Sequence, residues 1–287
     1  MLLIADSGST KTDWVFFTPQ DGVVKTITSV GFNPIVQSEN FIREKIEETF
    51  KQVLEVKSVT NIYFFGAGCS SDSRKNIIND ILTDVFVGAE IEVDHDMKAA
   101  VIATCGDEAG FSCILGTGSN TVFYDGQNII EPKGALGIGY ILGDEGSGAA
   151  IGKILLRDFL YLQMPDLLYR HFEEELKLNK GEIFKNVYQL PNANTYLASF
   201  TKEMYKFREL EYVQGVVKEV FTDFFKYNIL PYSQSKDYPI HFIGSIALYF
   251  NKELQEVAQS FDLKLGKIIQ KPIDQIVDYY INKIKCH

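Results

Sequence analysis

The stretch IADSGSTKTDWVFF, Ile4 to Phe17, decides how the chain is read. An apolar run stops at Asp6, gives way to Ser7-Gly8-Ser9-Thr10-Lys11-Thr12, and resumes at Trp14–Phe17. Two apolar runs around a glycine-and-hydroxyl segment predict a β-hairpin. Gly8 is expected to take φ > 0 and turn successive N–H groups toward one point, which makes an anion-binding concavity. Ser9, Thr10 and Thr12 would add hydroxyl donors and Lys11 a positive charge. Asp6 at the strand end makes sense beside phosphates if Mg²⁺ lies between them. Read alone, the stretch is equally an ordinary polar hairpin. It is no Walker A loop, because GxxxxGK[ST] is absent and no helix follows.

A second stretch has the same plan. In CILGTGSNTVFY, Cys113 to Tyr124, an apolar strand meets Gly116-Thr117-Gly118-Ser119-Asn120 and an apolar-aromatic strand follows. Gly8 and Gly118 are the matching glycines. The weak repeat predicts two domains of related topology, each opening on a phosphate-sized turn. The chain restarts near residues 105–110. Domain one is expected over 1–106 plus 273–287 and domain two over 107–272.

Outward from these turns, residues 2–5, 13–17 and 23–29 read as strands in hairpin order. They are followed by helix 41–53, strand 61–65, helix 71–85, strand 90–93 and helix 97–104. That order predicts a mixed sheet with helices, an α/β class. Helices are expected over 147–162, 166–178, 194–206, 211–227, 245–260 and 274–285, with strands at 239–243 and 267–269.

The whole chain bounds the function. Its 287 residues suit about two domains. The net charge is −10 with no basic run, which argues against nucleic acid as the main partner. No basic segment precedes Leu2-Leu3-Ile4, and no apolar stretch approaches 18 residues, so neither a secretory signal nor a membrane span is expected. Cys69, Cys105, Cys113 and Cys286 show no CxxC spacing and read as thiols of a reducing cytoplasm.

Three further motifs could carry chemistry. In ILGDEGSG, Ile141 to Gly148, Asp144 and Glu145 stand in a glycine-rich bend at a helix start. Helix capping explains one acid; two acids between glycines point to hydroxyl recognition. In VDHDMKAA, Val93 to Ala100, Asp96 would cap a helix, and it also stands where a general base for an alcohol would sit. FIGSIA, Phe242 to Ala247, is a strand–Gly–Ser–helix junction that lets a flat ring or ribose approach the backbone.

Together these motifs resemble the acetate and sugar kinase/Hsp70/actin superfamily, in its branch of N-acetylglucosamine kinases and BadF/BadG-type ATPases. The resemblance spans nearly the whole chain, and GTGSN (116–120) with GDEGS (143–147) is its most specific part. It implies two ribonuclease-H-like domains, each with a mixed five-stranded sheet, closing over MgATP and a sugar. It assigns Asp6, Gly8, Ser9, Thr10 and Lys11 to the first phosphate motif, Asp6 also to the metal, and Gly116, Thr117 and Gly118 to the second. Gly244 and Ser245 would lie beside adenosine. Asp96 matches the base, and Asn33, Ser119, Asn120, Gly139 and Asp144 match sugar contacts. Ile138 stands where mammalian-type enzymes carry a tryptophan, and serines replace some glycines of the first loop.

The reading is an ATP-dependent kinase of N-acetylglucosamine or a related amino sugar, with a small-molecule partner and a homodimer common among relatives. Its first rival is an ATPase that activates a partner protein. Such activators hold a bridging iron–sulfur cluster with cysteines, a pattern that Cys105 and Cys113 do not obviously reproduce. The second rival is a non-catalytic sugar or nucleotide sensor.

Overall fold

This computed structural model describes residues 1–8, 10–130 and 137–285. The chain forms two compact units, residues 1–106 with 271–287, and residues 107–270.

Unit 1 is built on a five-stranded sheet. Its strands are β1 (Leu2–Ser7), β2 (Lys11–Thr18), β3 (Gly22–Val30), β4 (Asn61–Gly66) and β5 (Glu90–His95), in the order β3-β2-β1-β4-β5. The first three form an antiparallel meander, and β1, β4 and β5 run parallel. The crossovers are α1 (Glu39–Phe50) and α2 (Asp72–Val85), and α3 (Asp96–Thr104) follows β5. Residues 12–17 of β2 are buried without a break. A strand covered on both faces loses the usual alternation. On one face Trp14 and Phe16 join Ile42, Ile46, Ile78 and Leu82 in an aromatic-rich core. The C-terminal helix Ile273–Lys285 packs on α3, β1 and β2. Trp14 is fully buried and meets Phe50 edge-on at 4.9 Å, and its Nε1–H donates to Ser29 Oγ at 2.9 Å. A buried indole N–H needs such an acceptor.

Unit 2 carries a second five-stranded sheet. Its strands are β6 (Gly110–Leu115), β7 (Ser119–Tyr124), β8 (Ile129–Ile130), β9 (Ile240–Ile243) and β10 (Leu265–Ile269), in the order β10-β9-β6-β7-β8. β6 pairs antiparallel with β7 and parallel with β9. The helices are α4 (Gly139–Leu142), α5 (Gly148–Leu160), α6 (Asp166–Arg170), α7 (Lys180–Phe184), α8 (Ala193–Tyr205), α9 (Glu211–Phe224), α10 (Ser245–Tyr249) and α11 (Asn251–Ser260). Both sheets are mixed and five-stranded, as the resemblance implies. Among the described residues no helix is long and apolar enough to cross a membrane.

Three predicted helices are altered by packing. The segment expected over 245–260 breaks at Phe250, whose φ of −109° and ψ of 34° leave the helix as its ring is buried. Helices 166–178 and 211–227 end in π-turns at 171–175 and 225–229. Phe224 and Phe225 are both fully buried although adjacent. The wider turn lets neighbouring side chains share the core, which a regular 3.6-residue repeat does not.

Candidate active site

In unit 1, β1 and β2 meet with Asp6 opposite Asp13 and Ser7 opposite Thr12. Gly8 N–H donates to Lys11 O at 3.0 Å and closes the hairpin. Gly8 does not occupy the left-handed region expected of it. The hairpin is closed without positive φ there, and a β-carbon would meet only Lys11 O at 3.7 Å. Thr12 also departs from expectation. Its hydroxyl donates to Val30 O at 3.0 Å and lies 2.7 Å from Ser7 Oγ, so it is spent inside the sheet. Thr10 is exposed at the tip, and Ser9 lies outside the described residues. Lys11 Nζ sits 2.6 Å from Asp13 Oδ2.

The carboxylates of this unit differ sharply. Asp6 is pushed up to about 7 by burial first, then by the charges of Asp13 and Asp96, with Lys11 pulling the other way. Asp96 opens α3 and accepts from Met97 N–H at 2.9 Å. Burial raises it, against His95 and the helix N–H groups. Asp94, two residues earlier, is also raised by burial, but Lys75 Nζ at 2.8 Å and His95 N–H outweigh that and hold it low. Of the two acids flanking His95, Asp94 is ionised and paired with Lys75. Asp96 has no ion-pair partner among the described residues.

Magnesium fits this set. Among the described residues no three His, Cys, Asp or Glu side chains converge on a metal. Mg²⁺ commonly takes one or two carboxylates and fills its shell with water and phosphate oxygens. A divalent cation at Asp6 would relieve the repulsion from Asp13 and Asp96.

Asn33 follows β3 in a hydrogen-bonded loop. Its Oδ1 accepts from Ile35 N–H at 3.0 Å, and its own N–H donates to Gln37 Oε1 at 2.9 Å. Phe32 N–H donates to Ser7 Oγ at 3.0 Å, which ties this loop to the foot of the hairpin.

In unit 2 the second turn is anchored by α5. Gly148 N–H donates to Gly116 O at 2.8 Å and Ala149 N–H to Thr117 O at 3.1 Å. Gly116 N–H donates to Gly118 O at 2.9 Å. The cap of α5 is Ser147, whose Oγ accepts from Ala150 N–H at 3.1 Å. Neither Asp144 nor Glu145 caps it. Asp144 holds a left-handed φ of 58° and accepts from the backbone N–H of Ser119. Burial raises its carboxyl despite that bond and Lys153. A β-carbon on Gly118 would stand 2.7 Å from Asp144 Oδ2. Gly118, Ser119 and Asp144 thus form one cluster.

Gly244 has φ +117° and lies so close to Leu115 that a β-carbon would stand 2.3 Å from its carbonyl oxygen. Only glycine lets the Gly244–Ser245 junction approach the Gly116 turn this way. Asn120 folds its Oδ1 onto Thr121 N–H at 2.9 Å. Gly139 starts α4 with φ +79° and accepts from Gly143 N–H at 2.8 Å, which ties it to the residue before Asp144.

A candidate N-acetylglucosamine kinase from Porphyromonas gingivalis matches with a TM-score of 0.91 at 36% identity, covering 99% of this chain and 100% of that one. This chain belongs to the N-acetylglucosamine-kinase-like branch of the actin-like ATPase superfamily. A second candidate N-acetylglucosamine kinase, from Chromobacterium violaceum, has a TM-score of 0.74 at 15% identity over 97% of this chain and 98% of that one. A ROK family glucokinase from Streptomyces griseus, in complex with glucose and AMPPNP, has a TM-score of 0.52 at 13% identity, covering 97% of each chain. At those identities the likeness is one of fold. No family profile and no curated protein matches the chain.

Within this N-acetylglucosamine-kinase-like chain, sequence reasoning overlooked Asp13, Gln37 and Gly68. Asp13 was legible as the hairpin partner of Asp6. Gln37 and Gly68 touch Asn33 only after folding and carry no motif of their own.

Proposed function

We propose that the chain is an ATP-dependent sugar kinase acting on N-acetylglucosamine or a related amino sugar, with the 6-hydroxyl as acceptor by family resemblance. The observation that carries the reading is Asp96, a partly buried carboxylate at a helix start, raised by burial and in no salt bridge among the described residues. A carboxylate held above its ordinary range is a better base for an alcohol than an ordinary one. As the sugar oxygen bonds to the γ-phosphorus, the bond to the β,γ-bridging oxygen breaks and ADP leaves. The hydroxyl proton passes to Asp96.

The other residues position the reactants. Gly8, Ser9 and Thr10 with Gly116, Thr117 and Gly118 serve the phosphates, and Gly244 and Ser245 the adenosine. Lys11, paired with Asp13, offsets the acids beside the first turn. Asn33, Ser119, Asn120, Gly139 and Asp144 read the sugar, because rejecting a wrong sugar requires paired polar groups. Bound magnesium supplies charge neutralisation on the phosphates, and Asp6 is the residue that would hold it.

Cys69, Cys105 and Cys113 are buried, and burial pushes Cys69 up to about 12. Buried thiols are poor ligands for a cluster bridging two subunits, which favours the kinase over the activator reading. Cys286 lies outside the described residues.

The test is ADP release from MgATP with N-acetylglucosamine, glucosamine, N-acetylmannosamine, glucose and no sugar. Strong stimulation by one amino sugar, lost in Asp96→Asn, is expected. Equal release with and without every sugar would overturn the proposal in favour of an ATPase.

A further inference from the structure

We infer that Glu145 and Asn228 are positioning residues: through them the turn that ends α9 grips the bend 143–147 and sets Asp144 for the acceptor sugar. The inference rests on the kinase reading above. Asp144 and Glu145 are neighbours in the chain, yet the fold gives them different partners. Asp144 accepts from the N–H of Ser119, the first residue of β7. Glu145 is half-buried and does not cap α5. Its Oε2 accepts from Asn228 Nδ2, 3.4 Å away. Asn228 belongs to the π-turn Phe225–Ile229, whose buried residues are Phe225, Asn228 and Ile229. A buried amide without a partner is costly, and an apolar side chain would sit in this core more cheaply. The amide is explained by the carboxylate that it meets, not by the rings around it.

The same helix end holds the bend by packing. Gly146 takes φ +82°, and a β-carbon there would stand 2.9 Å from the Phe224 ring and 3.0 Å from Leu115 Cδ2. Ser147 N–H donates to Asp144 O at 3.2 Å, and Gly143 N–H to Gly139 O at 2.8 Å. The π-turn also packs on β7, the strand that opens with Ser119. One helix end thus supports both the bend that carries Asp144 and the strand whose N–H it accepts. The direction of Glu145 matters for a second reason. Its charge is among the influences that raise the Asp144 carboxyl. A Glu145 released from Asn228 can swing toward Asp144, where repulsion works against the alignment that a sugar hydroxyl needs. A carboxylate aligned before binding loses less freedom on binding, so the grip acts on sugar affinity.

The experiment compares wild type with Asn228→Asp, Glu145→Ala, Glu145→Gln and the exchanged pair, Glu145→Gln with Asn228→Asp. It measures hydrogen exchange of residues 139–147 in the free protein, the urea midpoint, and KM for sugar, KM for MgATP and kcat in the ADP-release assay. Asn228→Asp sets two carboxylates against each other. It should speed exchange across the bend and raise the sugar KM about 5- to 30-fold, with the MgATP KM unchanged. Glu145→Ala removes the acceptor and should give the same split; it carries the test if Asn228→Asp does not fold. Glu145→Gln keeps an acceptor oxygen without the charge and should fall between. The exchanged pair restores a donor facing an acceptor and should recover most of the sugar KM and the slow exchange. Exchange in Glu145→Ala equal to wild type would overturn the grip. No recovery in the exchanged pair would overturn the pairing. A lowered urea midpoint with every KM unchanged, or with only kcat reduced, would overturn the positioning role. A wild type that no sugar stimulates would bring down the kinase reading and the sugar half of this inference with it, while exchange still reports on the Glu145–Asn228 pair.

Discussion

Asp144 packs directly against Gly118: a β-carbon on the glycine would stand 2.7 Å from Asp144 Oδ2. The same carboxylate accepts from Ser119 N–H. Gly118→Ala should therefore push Asp144 off that bond. A carboxylate end can swing aside, so stability should change by less than about 1 kcal/mol. The sugar KM should rise by about 5- to 30-fold, equivalent to one or two kcal/mol. Steady-state kinetics and a urea titration check both halves.

Asp96→Asn removes the base and keeps the shape. Turnover should fall about 10²- to 10⁴-fold if proton transfer is its role, with the sugar and MgATP KM values little changed. Loss of sugar affinity at unchanged kcat would assign Asp96 to binding instead.

Asp6 carries a penalty at neutral pH. Its folded carboxyl sits at about 7, against an ordinary 3.8, so the folded state holds the proton more tightly. The stability from this group is complete below about pH 4 and is lost as pH rises through 7. Asp6→Asn should raise the melting temperature of the ligand-free protein at pH 8 much more than at pH 4. It should also abolish magnesium-dependent turnover. Equal thermal shifts at both pH values would contradict the assignment.

His241 works in the opposite direction. It is buried in unit 2, where Nδ1 accepts from Lys267 N–H at 2.8 Å and Gly266 leaves room for the ring. Burial, then Lys267, push it down from 6.5 to about 4, against Glu108. Its contribution is present above pH about 6.5 and is lost as pH falls toward 4, amounting to about 3 kcal/mol. His241→Asn retains an acceptor for Lys267 N–H and should flatten that part of the stability profile. Urea midpoints at pH 4.5 and 7.5 measure it.

Gly152 sits where α5 crosses α8. A β-carbon there would stand 2.0 Å from Leu197 O, a backbone atom that cannot rotate away. Gly152→Ala should destabilise the protein by about 1–3 kcal/mol, despite the better helix propensity of alanine. A raised urea midpoint would show that the helices can separate freely.

Most strands and both glycine turns were legible because their signals are local. Apolar runs such as Leu3-Ile4-Ala5 and Cys113-Ile114-Leu115 end on glycine and hydroxyl residues within a few positions. The interrupted helices were not legible. Nothing local distinguishes Phe250, where the helix breaks, from Phe221, where it continues. The outcome depends on which side of the core receives each ring.

The sequence by itself determined the alternation of strands and helices, the two related turns, and the positions of Asp96 and Asp144 next to helix starts. Hydrogen-bonding chemistry, backbone preference and apolar spacing act over a few residues, so they can be read along the chain. Only the tertiary structure decided how each polar group is used. It turned Thr12 into the sheet, placed Lys11 on Asp13, gave the α5 cap to Ser147 and set Gln37 across the Asn33 loop. It also separated Asp94, held low, from Asp96, held high. Burial and charge coupling sum over residues that are distant in sequence and adjacent in space, and folding creates that sum.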